Sequence, residues 1–221
     1  MKKIKAVLFD MDGVLLDTES VCKICWARAA EEYNLSNINE IFLQCVGRSR
    51  ADTTLLLQKY LPGPEEASAF RERTSLLFDD VWREQGLQKM PYVDECLKDL
   101  KKAGFRMAVA SSTRKVRVFP QLKDAGIFDY FETFTTGDMV ASSKPDPEIY
   151  LKAASSLGLT PCECVAIEDS PNGVRSAFNA GMKCIMVPDL ISPDDEMKSK
   201  AWKIFKNLKE TAEFLTLGDS E

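Results

Sequence analysis

The stretch Leu8-Phe9-Asp10-Met11-Asp12-Gly13 directly continues an apolar run that begins at Ile4. A short apolar run that ends at a turn signal is typical of a strand buried on both faces. Side chains two positions apart along a strand point the same way, so Asp10 and Asp12 are expected to leave it on one side. Two close carboxylates repel each other without a cation or a shared proton. Since ligands bind at the carboxyl ends of strands in α/β proteins, this stretch predicts a metal-assisted site with a carboxylate nucleophile.

The composition is that of an ordinary globular protein, with 221 residues, 45% hydrophobic and 29% charged. This length holds one sizeable domain, or a core with a smaller insert. The formal net charge of −5 argues against a nucleic acid partner, because phosphates favour basic surfaces. No apolar stretch approaches the length of a membrane helix, and Asp10 and Asp12 interrupt what would be a signal-peptide core. We therefore expect a cytoplasmic protein without a membrane partner.

The chain contains no histidine and seven cysteines. The lack of histidine excludes Ser-His-Asp and Cys-His catalysis, and leaves acid–base chemistry to carboxylates, Lys, Tyr or Cys. An odd number of cysteines without a signal peptide favours reduced thiols. Cys22-x-x-Cys25 lies in a helical pattern with no second matching pair, so we interpret both as small buried side chains.

The rest of the chain alternates strand-like and helix-like segments, with one interruption. From about Glu19 to Gly86 the chain keeps helical spacing without a convincing strand, which predicts a small inserted α-helical domain over residues 16–88. The core is then expected in 1–15 and 89–221, with later strands at 105–110, 131–135, 164–167 and 183–187. Strands separated by helices predict an α/β fold with a Rossmann-like parallel sheet. Pro147 is expected as the first residue of a helix capped by Asp146, and the tail as one helix from about Asp194 to Leu215.

Polar residues lie where these predicted strands and loops end, and parallel strands bring those ends to one rim. They are Asp10, Asp12, Ser111, Lys144, Glu168 and Asp169. Each also has an ordinary interpretation, as a turn or helix cap, a surface lysine, or an acid that complements a helix dipole. Their conjunction on one rim favours a functional site.

The charges of this set suit phosphoryl transfer, in which negative charge on the phosphoryl group must be neutralised. Carboxylates of Asp10, Asp169 and Glu168 are expected to bind a magnesium ion. Lys144 adds a positive charge, and Ser111 with nearby backbone N–H groups offers hydrogen bonds to the phosphoryl oxygens.

The two aspartates of the first strand then have separate expected roles. Asp10 attacks phosphorus and becomes an aspartyl phosphate. Asp12 protonates the leaving oxygen and afterwards deprotonates the attacking water.

The sequence resembles the haloacid dehalogenase superfamily, in the phosphatase-like branch that includes β-phosphoglucomutase and sugar-phosphate phosphatases. The matching stretches are FDMDGVLLDTE (9–19), VASST (109–113), SKPDPEIY (143–150) and AIEDSPNGV (166–174). The resemblance covers nearly the whole chain. It implies Asp10 as nucleophile and Asp12 as general acid/base. It also implies phosphate binding by Ser111, Ser112 and Lys144, and magnesium binding by Asp10, Asp169, the Asp12 backbone carbonyl and Glu168.

The resemblance further implies that the helical insert is a cap that closes over the site and selects the substrate. Within it, Arg50 is expected either to reach a distal phosphate or other anionic group, or to be a surface arginine at a helix start. β-Phosphoglucomutases carry a histidine in the first cap helix that helps to gate Asp12. Because this chain has Cys22 at that position, the expectation shifts from a mutase to a phosphatase.

The leading expectation is a monomeric, magnesium-dependent phosphatase of a small phosphorylated metabolite such as a sugar phosphate. The alternative is a phosphomutase that keeps the phosphoryl group on the sugar and needs a bisphosphate primer. A dehalogenase is disfavoured by Asp12, because a halide leaving group needs no acid. A phospho-accepting signalling domain also uses an aspartate, a cation, a hydroxyl and a lysine, but such modules lack a cap of this length.

Overall fold

The computed structural model describes residues 3–46 and 50–217. The chain divides into two compact units, which we name the core unit (Met1–Leu16 with Lys89–Glu221) and the helical unit (Asp17–Gln88). The domain boundaries predicted from the sequence lie after residue 15 and after residue 88. Within the described ranges, no helix combines the length and the apolar character that crossing a membrane requires.

The core unit is built on a parallel sheet, which over the described residues has six strands in the order β3-β2-β1-β4-β5-β6. The strands are β1 (Ala6–Phe9), β2 (Arg106–Ser111), β3 (Thr133–Thr136), β4 (Cys164–Glu168), β5 (Lys183–Met186) and β6 (Lys203–Ile204). β1 lies between β2 and β4, and both β1 and β4 are buried along their whole length. Such burial is typical of central strands in a parallel sheet. The predicted fold class, an α/β protein with a Rossmann-like parallel sheet, is confirmed.

The helical unit contains, over its described residues, α1 (Thr18–Glu32), α2 (Ile38–Cys45), α3 (Arg50–Leu57) and α4 (Pro64–Gln85). Asp17 caps α1, because its Oδ1 accepts a hydrogen bond of 3.0 Å from the backbone N–H of Ser20. Trp26 of α1 and Tyr33, the C-cap of that helix, pack on Phe70 of α4, with ring centroids 5.4 and 5.3 Å from that of Phe70. The unit therefore has an apolar core of its own.

The helices of the described core unit are α5 (Val93–Lys102), α6 (Lys115–Asp124), α7 (Glu148–Ser156), α8 (Pro171–Asn179), α9 (Asp195–Lys200) and α10 (Leu208–Leu217). Ile149 and Ala153 of α7 and Ala177 of α8 are buried in one apolar cluster with Leu8 of β1. This packing fixes α7 and α8 against the central strands. The loops that precede both helices are thereby held near the carboxyl ends of β1 and β4.

The start of α7 differs from the prediction by one residue. Pro147 is the N-cap rather than the first helical residue, and Glu148 begins the helix. Asp146 still serves the helix start, because its Oδ1 accepts a hydrogen bond of 2.9 Å from the backbone N–H of Glu148.

The prediction of one helix from about Asp194 to Leu215 is wrong, because β6 separates α9 from α10. The backbone N–H of Trp202 donates to the carbonyl of Cys184 at 2.7 Å, and that of Phe205 donates to the carbonyl of Met186 at 3.0 Å. The outer edge of β5 offers backbone groups that need partners, and this segment supplies them. Pairing at the sheet edge outweighs the local helical tendency of the tail.

Candidate active site

The carboxyl ends of three neighbouring strands carry the polar residues of the site. Asp10 directly follows β1, and its backbone N–H donates to the carbonyl of Ile167 at 3.0 Å, which continues the pairing with β4. Ser111 is the last residue of β2, and Glu168 is the last residue of β4. The sheet register therefore places all three on the same rim of the core unit.

The ammonium of Lys144 connects the acids on this rim. Its Nζ donates to Asp10 Oδ1 at 2.6 Å, to Glu168 Oε1 at 2.6 Å and to the carbonyl of Ala110 at 3.0 Å. An ammonium has three donors, and here each has an acceptor. Burial by itself would lower the pKa of Lys144, but the carboxylates of Asp10 and Glu168 raise it above its usual value. Lys144 therefore stays charged.

Asp10 is a buried carboxylate, only 7% exposed. Burial raises the pKa of Asp10 to about 7, while Lys144 lowers it and the carboxylates of Glu168 and Asp12 raise it. One ammonium does not compensate this number of acids, so the rim favours a further cation.

The donor atoms fit a hard divalent cation. Among the described residues, Asp10, Glu168 and Asp169 form a group whose carboxylate oxygens lie within 4.8 Å of one another. Carboxylate oxygens are the protein ligands that Mg²⁺ prefers. The group therefore has the chemistry that a magnesium site requires.

Glu168 is completely buried, with 0% of its surface exposed. Its Oε1 accepts a hydrogen bond of 2.6 Å from the hydroxyl of Tyr150, in addition to the one from Lys144. Its Oε2 accepts a longer one of 3.4 Å from Ser170 Oγ. The carboxylate also packs directly on Gly173, where a Cβ would overlap with it. Glu168 is therefore positioned from β4, α7 and α8 together.

Asp169 approaches the chain at Gly13. The φ angle of Gly13 is +76°, and a Cβ at this position would lie 2.5 Å from Asp169 Oδ2. Glycine meets both requirements, since it adopts positive φ without strain and has no Cβ. Gly13, which follows Asp12 in the sequence, thus leaves space for the carboxylate of Asp169 at the end of β4.

Asp12 has different partners from Asp10. Its Oδ2 accepts hydrogen bonds from Thr113 Oγ1 at 2.8 Å and from Ser111 Oγ at 3.2 Å. The backbone N–H of Thr113 in turn donates to Ser111 Oγ at 3.0 Å. The two carboxylates that follow the first strand thus differ in their surroundings, with an ammonium at Asp10 and two hydroxyls at Asp12.

Residues 7–187 match the family model of haloacid dehalogenase-like hydrolases. The chain belongs to this family. It is 32% identical over 182 residues to the phosphorylated carbohydrates phosphatase of Thermotoga maritima, covering 82% of this chain and 84% of the relative. It is 33% identical over 185 residues to hexitol phosphatase A of Escherichia coli, covering 84% and 83%. The crystal structure of CbbY from Rhodobacter sphaeroides in complex with xylulose-(1,5)bisphosphate superposes with a TM-score of 0.76 at 28% identity, covering 94% and 96%.

These relatives place the chain in the phosphatase and β-phosphoglucomutase branch of the haloacid dehalogenase-like hydrolases, which confirms the resemblance seen in the sequence. The protein is therefore an enzyme of that branch. Sugar phosphates are the substrates that the names of these relatives indicate for them.

The structure of this hydrolase brings together most residues that the sequence singled out. Asp10, Lys144, Glu168 and Asp169 form one cluster, and Asp12 with Ser111 forms a hydrogen-bonded group on the same rim. The side chain of Ser112 is exposed in the loop that follows β2.

Two predicted residues belong to the helical unit. Cys22 is half-buried in α1 and packs against the apolar core of that unit. Arg50 is the first residue of α3, and its side chain lies outside what the structure describes.

Two residues of the site are not predicted from the sequence. Thr113 and Tyr150 both lie within stretches that match the family, but neither was assigned a role. The hydroxyl-rich run Ser111-Ser112-Thr113 after a predicted strand was the signal for Thr113. Tyr150 gives no comparable signal, because its spacing is that of a buried apolar residue on α7.

Proposed function

We propose that this haloacid dehalogenase-like hydrolase is a magnesium-dependent phosphatase of a small phosphorylated metabolite, a sugar phosphate by class. The observation that carries the proposal is the buried Asp10 carboxylate, 2.6 Å from the Lys144 ammonium and grouped with two further acids. A carboxylate so placed is a candidate nucleophile with a fixed countercharge. Relatives named as phosphatases of phosphorylated carbohydrates and of hexitols support the substrate class.

The side chains of Asp10 and Asp169 would hold the magnesium ion, with the Asp12 backbone carbonyl and Glu168 as further ligands. The bound ion supplies positive charge against the phosphoryl oxygens. Oxygen donors from three acids within a few ångströms support this choice of metal.

The remaining steps use the side chains of the core unit. Asp10 attacks phosphorus, and a new Asp10–phosphorus bond forms as the bond to the sugar oxygen breaks. Asp12 gives a proton to that oxygen and then takes one from the water that hydrolyses the aspartyl phosphate. Inorganic phosphate leaves and the Asp10 carboxylate is restored. During both steps the phosphoryl oxygens are held by Lys144, by Ser111 and by the backbone at Ser112.

The helical unit is proposed to act as a cap that selects the substrate, with Arg50 as a candidate contact for an anionic group. Cys22, in place of a gating histidine, supports hydrolysis over mutase chemistry. A cap of this kind sets both access and rate by opening and closing.

The test is a phosphate-release screen over sugar phosphates, nucleotides and phosphoglycolate, with Asp10→Asn purified in parallel. Asparagine cannot form the aspartyl phosphate, so the variant is expected to lose turnover. Phosphate release by Asp10→Asn close to the parent rate would overturn the proposal. Glucose 1-phosphate isomerisation is measured with a bisphosphate primer in the same samples. Isomerisation faster than phosphate release would assign the chain to the mutases instead.

A further inference from the structure

Thr113 holds the carboxylate that the proposed mechanism uses for proton transfer. Its Oγ1 lies 2.8 Å from Asp12 Oδ2, which is shorter than the 3.2 Å from Ser111 Oγ to the same oxygen. The backbone N–H of Thr113 also donates to Ser111 Oγ at 3.0 Å. One residue therefore contacts both the carboxylate and its second donor.

The two hydroxyls differ in what else they have to do. The hydroxyl of Ser111 has one proton, and that proton points at Asp12. In the proposed mechanism the same hydroxyl donates to a phosphoryl oxygen, so it has to leave Asp12 when substrate binds. Thr113 is then the donor that remains on Asp12 Oδ2.

We infer that Thr113 is a positioning residue for the acid/base carboxylate: its hydroxyl orients Asp12 while Ser111 binds the phosphoryl group. Among the described residues, both donors to Asp12 converge on Oδ2, which leaves Oδ1 as the oxygen that exchanges the proton. The inference rests on the proposed function and adds to it a residue with an assigned task.

The side chain of Thr113 suits this task. A β-branched residue has a restricted χ1, so its backbone largely decides where the hydroxyl points. That backbone is tied to the end of β2 through the hydrogen bond from its N–H to Ser111 Oγ. The direction of the hydroxyl is thus largely fixed by the backbone of the loop that directly follows β2.

The test compares two substrates that differ in the leaving group. A sugar alkoxide needs a proton as it leaves, whereas p-nitrophenolate leaves readily without one. The value of kcat/KM reports the steps up to formation of the aspartyl phosphate, where only the leaving group differs. Thr113→Val keeps the shape and removes the hydroxyl, so we expect kcat/KM to fall about tenfold more for the sugar phosphate than for p-nitrophenyl phosphate.

Two further variants make the result specific. Thr113→Ser retains a hydroxyl without the restricted χ1, so it is expected to recover most of the lost ratio between the two substrates, to within about threefold of the parent. Thr216→Val removes the hydroxyl of an exposed threonine on α10, outside the site, and is the matched control. Turnover of p-nitrophenyl phosphate by Thr113→Val shows that this variant is folded. If Thr113→Val does not fold, Thr113→Ala is measured in its place.

Equal losses on both substrates, or a Ser variant as impaired as the Val variant, would overturn the role of Thr113. These outcomes leave the proposed function intact as long as Asp10→Asn abolishes turnover. Turnover that survives Asp10→Asn removes the proposed function, and the role of Thr113 with it.

Discussion

Lys144 Nζ and Asp10 Oδ1 lie 2.6 Å apart in the buried part of the rim, although 134 positions separate the two residues in the chain. The pair does more than neutralise the proposed nucleophile. Because the same ammonium also contacts Glu168, it links the loop before α7 to the ends of β1 and β4. The same cation therefore contributes both to the packing of the core unit and to the assembly of the site.

Lys144→Met leaves the carboxylates of Asp10 and Glu168 buried without this countercharge. We expect the free energy of unfolding to fall by about 3–5 kcal/mol, and activity to be lost. The matched control is Lys5→Met, which breaks the surface pair with Glu163 and is expected to lower the stability much less. Denaturant unfolding of both variants is the measurement. Similar losses for the two would contradict the role of Lys144 as a buried countercharge.

Tyr150→Phe removes only the hydroxyl that donates to Glu168 Oε1. The buried carboxylate then loses a partner, and we expect the free energy of unfolding to fall by about 1–3 kcal/mol. Since Glu168 orients Lys144, kcat is expected to fall as well, with KM little changed. Thermal unfolding and steady-state kinetics check this, with Tyr92→Phe at an exposed position as control. A fully active and equally stable Tyr150→Phe would show that the hydroxyl has no such role.

Gly13→Ala places a Cβ 2.5 Å from Asp169 Oδ2 and displaces a proposed magnesium ligand. Chelation is expected to abolish the activity of the parent enzyme, and added Mg²⁺ to restore it. In Gly13→Ala we expect the Mg²⁺ concentration for half-maximal activity to rise at least about tenfold.

The control for this variant is Gly158→Ala, because Gly158 has a similar φ of +66° but a Cβ at that position would meet no atom within 4 Å. Both variants carry the backbone strain of alanine at positive φ, and only the first reaches Asp169. An unchanged Mg²⁺ requirement in Gly13→Ala, or full activity of the parent in excess chelator, would count against the metal site.

The ionisation of Glu163 makes the folding stability of the protein depend on pH. Its hydrogen bonds with Lys5 and Thr160 lower the pKa of this carboxyl from 4.5 to about 2. The unfolded chain therefore binds the proton more readily, and the stabilisation present above about pH 4.5 is lost as the pH falls towards 2. We expect Glu163→Gln to be less stable than the parent at pH 6, with the difference shrinking below pH 4.5. Urea unfolding across this range tests it, with Glu95→Gln as the exposed control; a difference that does not change with pH would refute the link.

Local patterns were sufficient to predict the core of the sheet. The apolar run before Asp10 and that before Glu168 mark buried strands through composition alone, and helices between them imply parallel pairing. Asp10 and Glu168 could be singled out because the carboxyl ends of parallel strands share one rim, and Lys144 because its loop precedes a helix at the same rim.

The remaining features depend on contacts between segments far apart in the chain. β6 forms by pairing with the edge of β5. Trp202, Ile204 and Phe205 are residue types that strands favour, but so short a run does not indicate which strand it pairs with. The hydroxyls of Thr113 and Tyr150 reach their carboxylates across neighbouring elements. The directions of these hydroxyls are set by packing between elements, so the sequence pattern does not predict them.

The position of β1 in the sheet has a consequence for synthesis of the protein. β1 is made before both of its neighbours, whose pairing with it begins at Arg106 and Cys164. An apolar strand without partners on a growing chain is prone to associate with other unfinished chains. Charged residues next to such a strand oppose this association, and Lys3 and Lys5 directly precede β1. Lys3 and Lys5 thus stand where charge opposes such association in the interval before β2 and β4 have been synthesised.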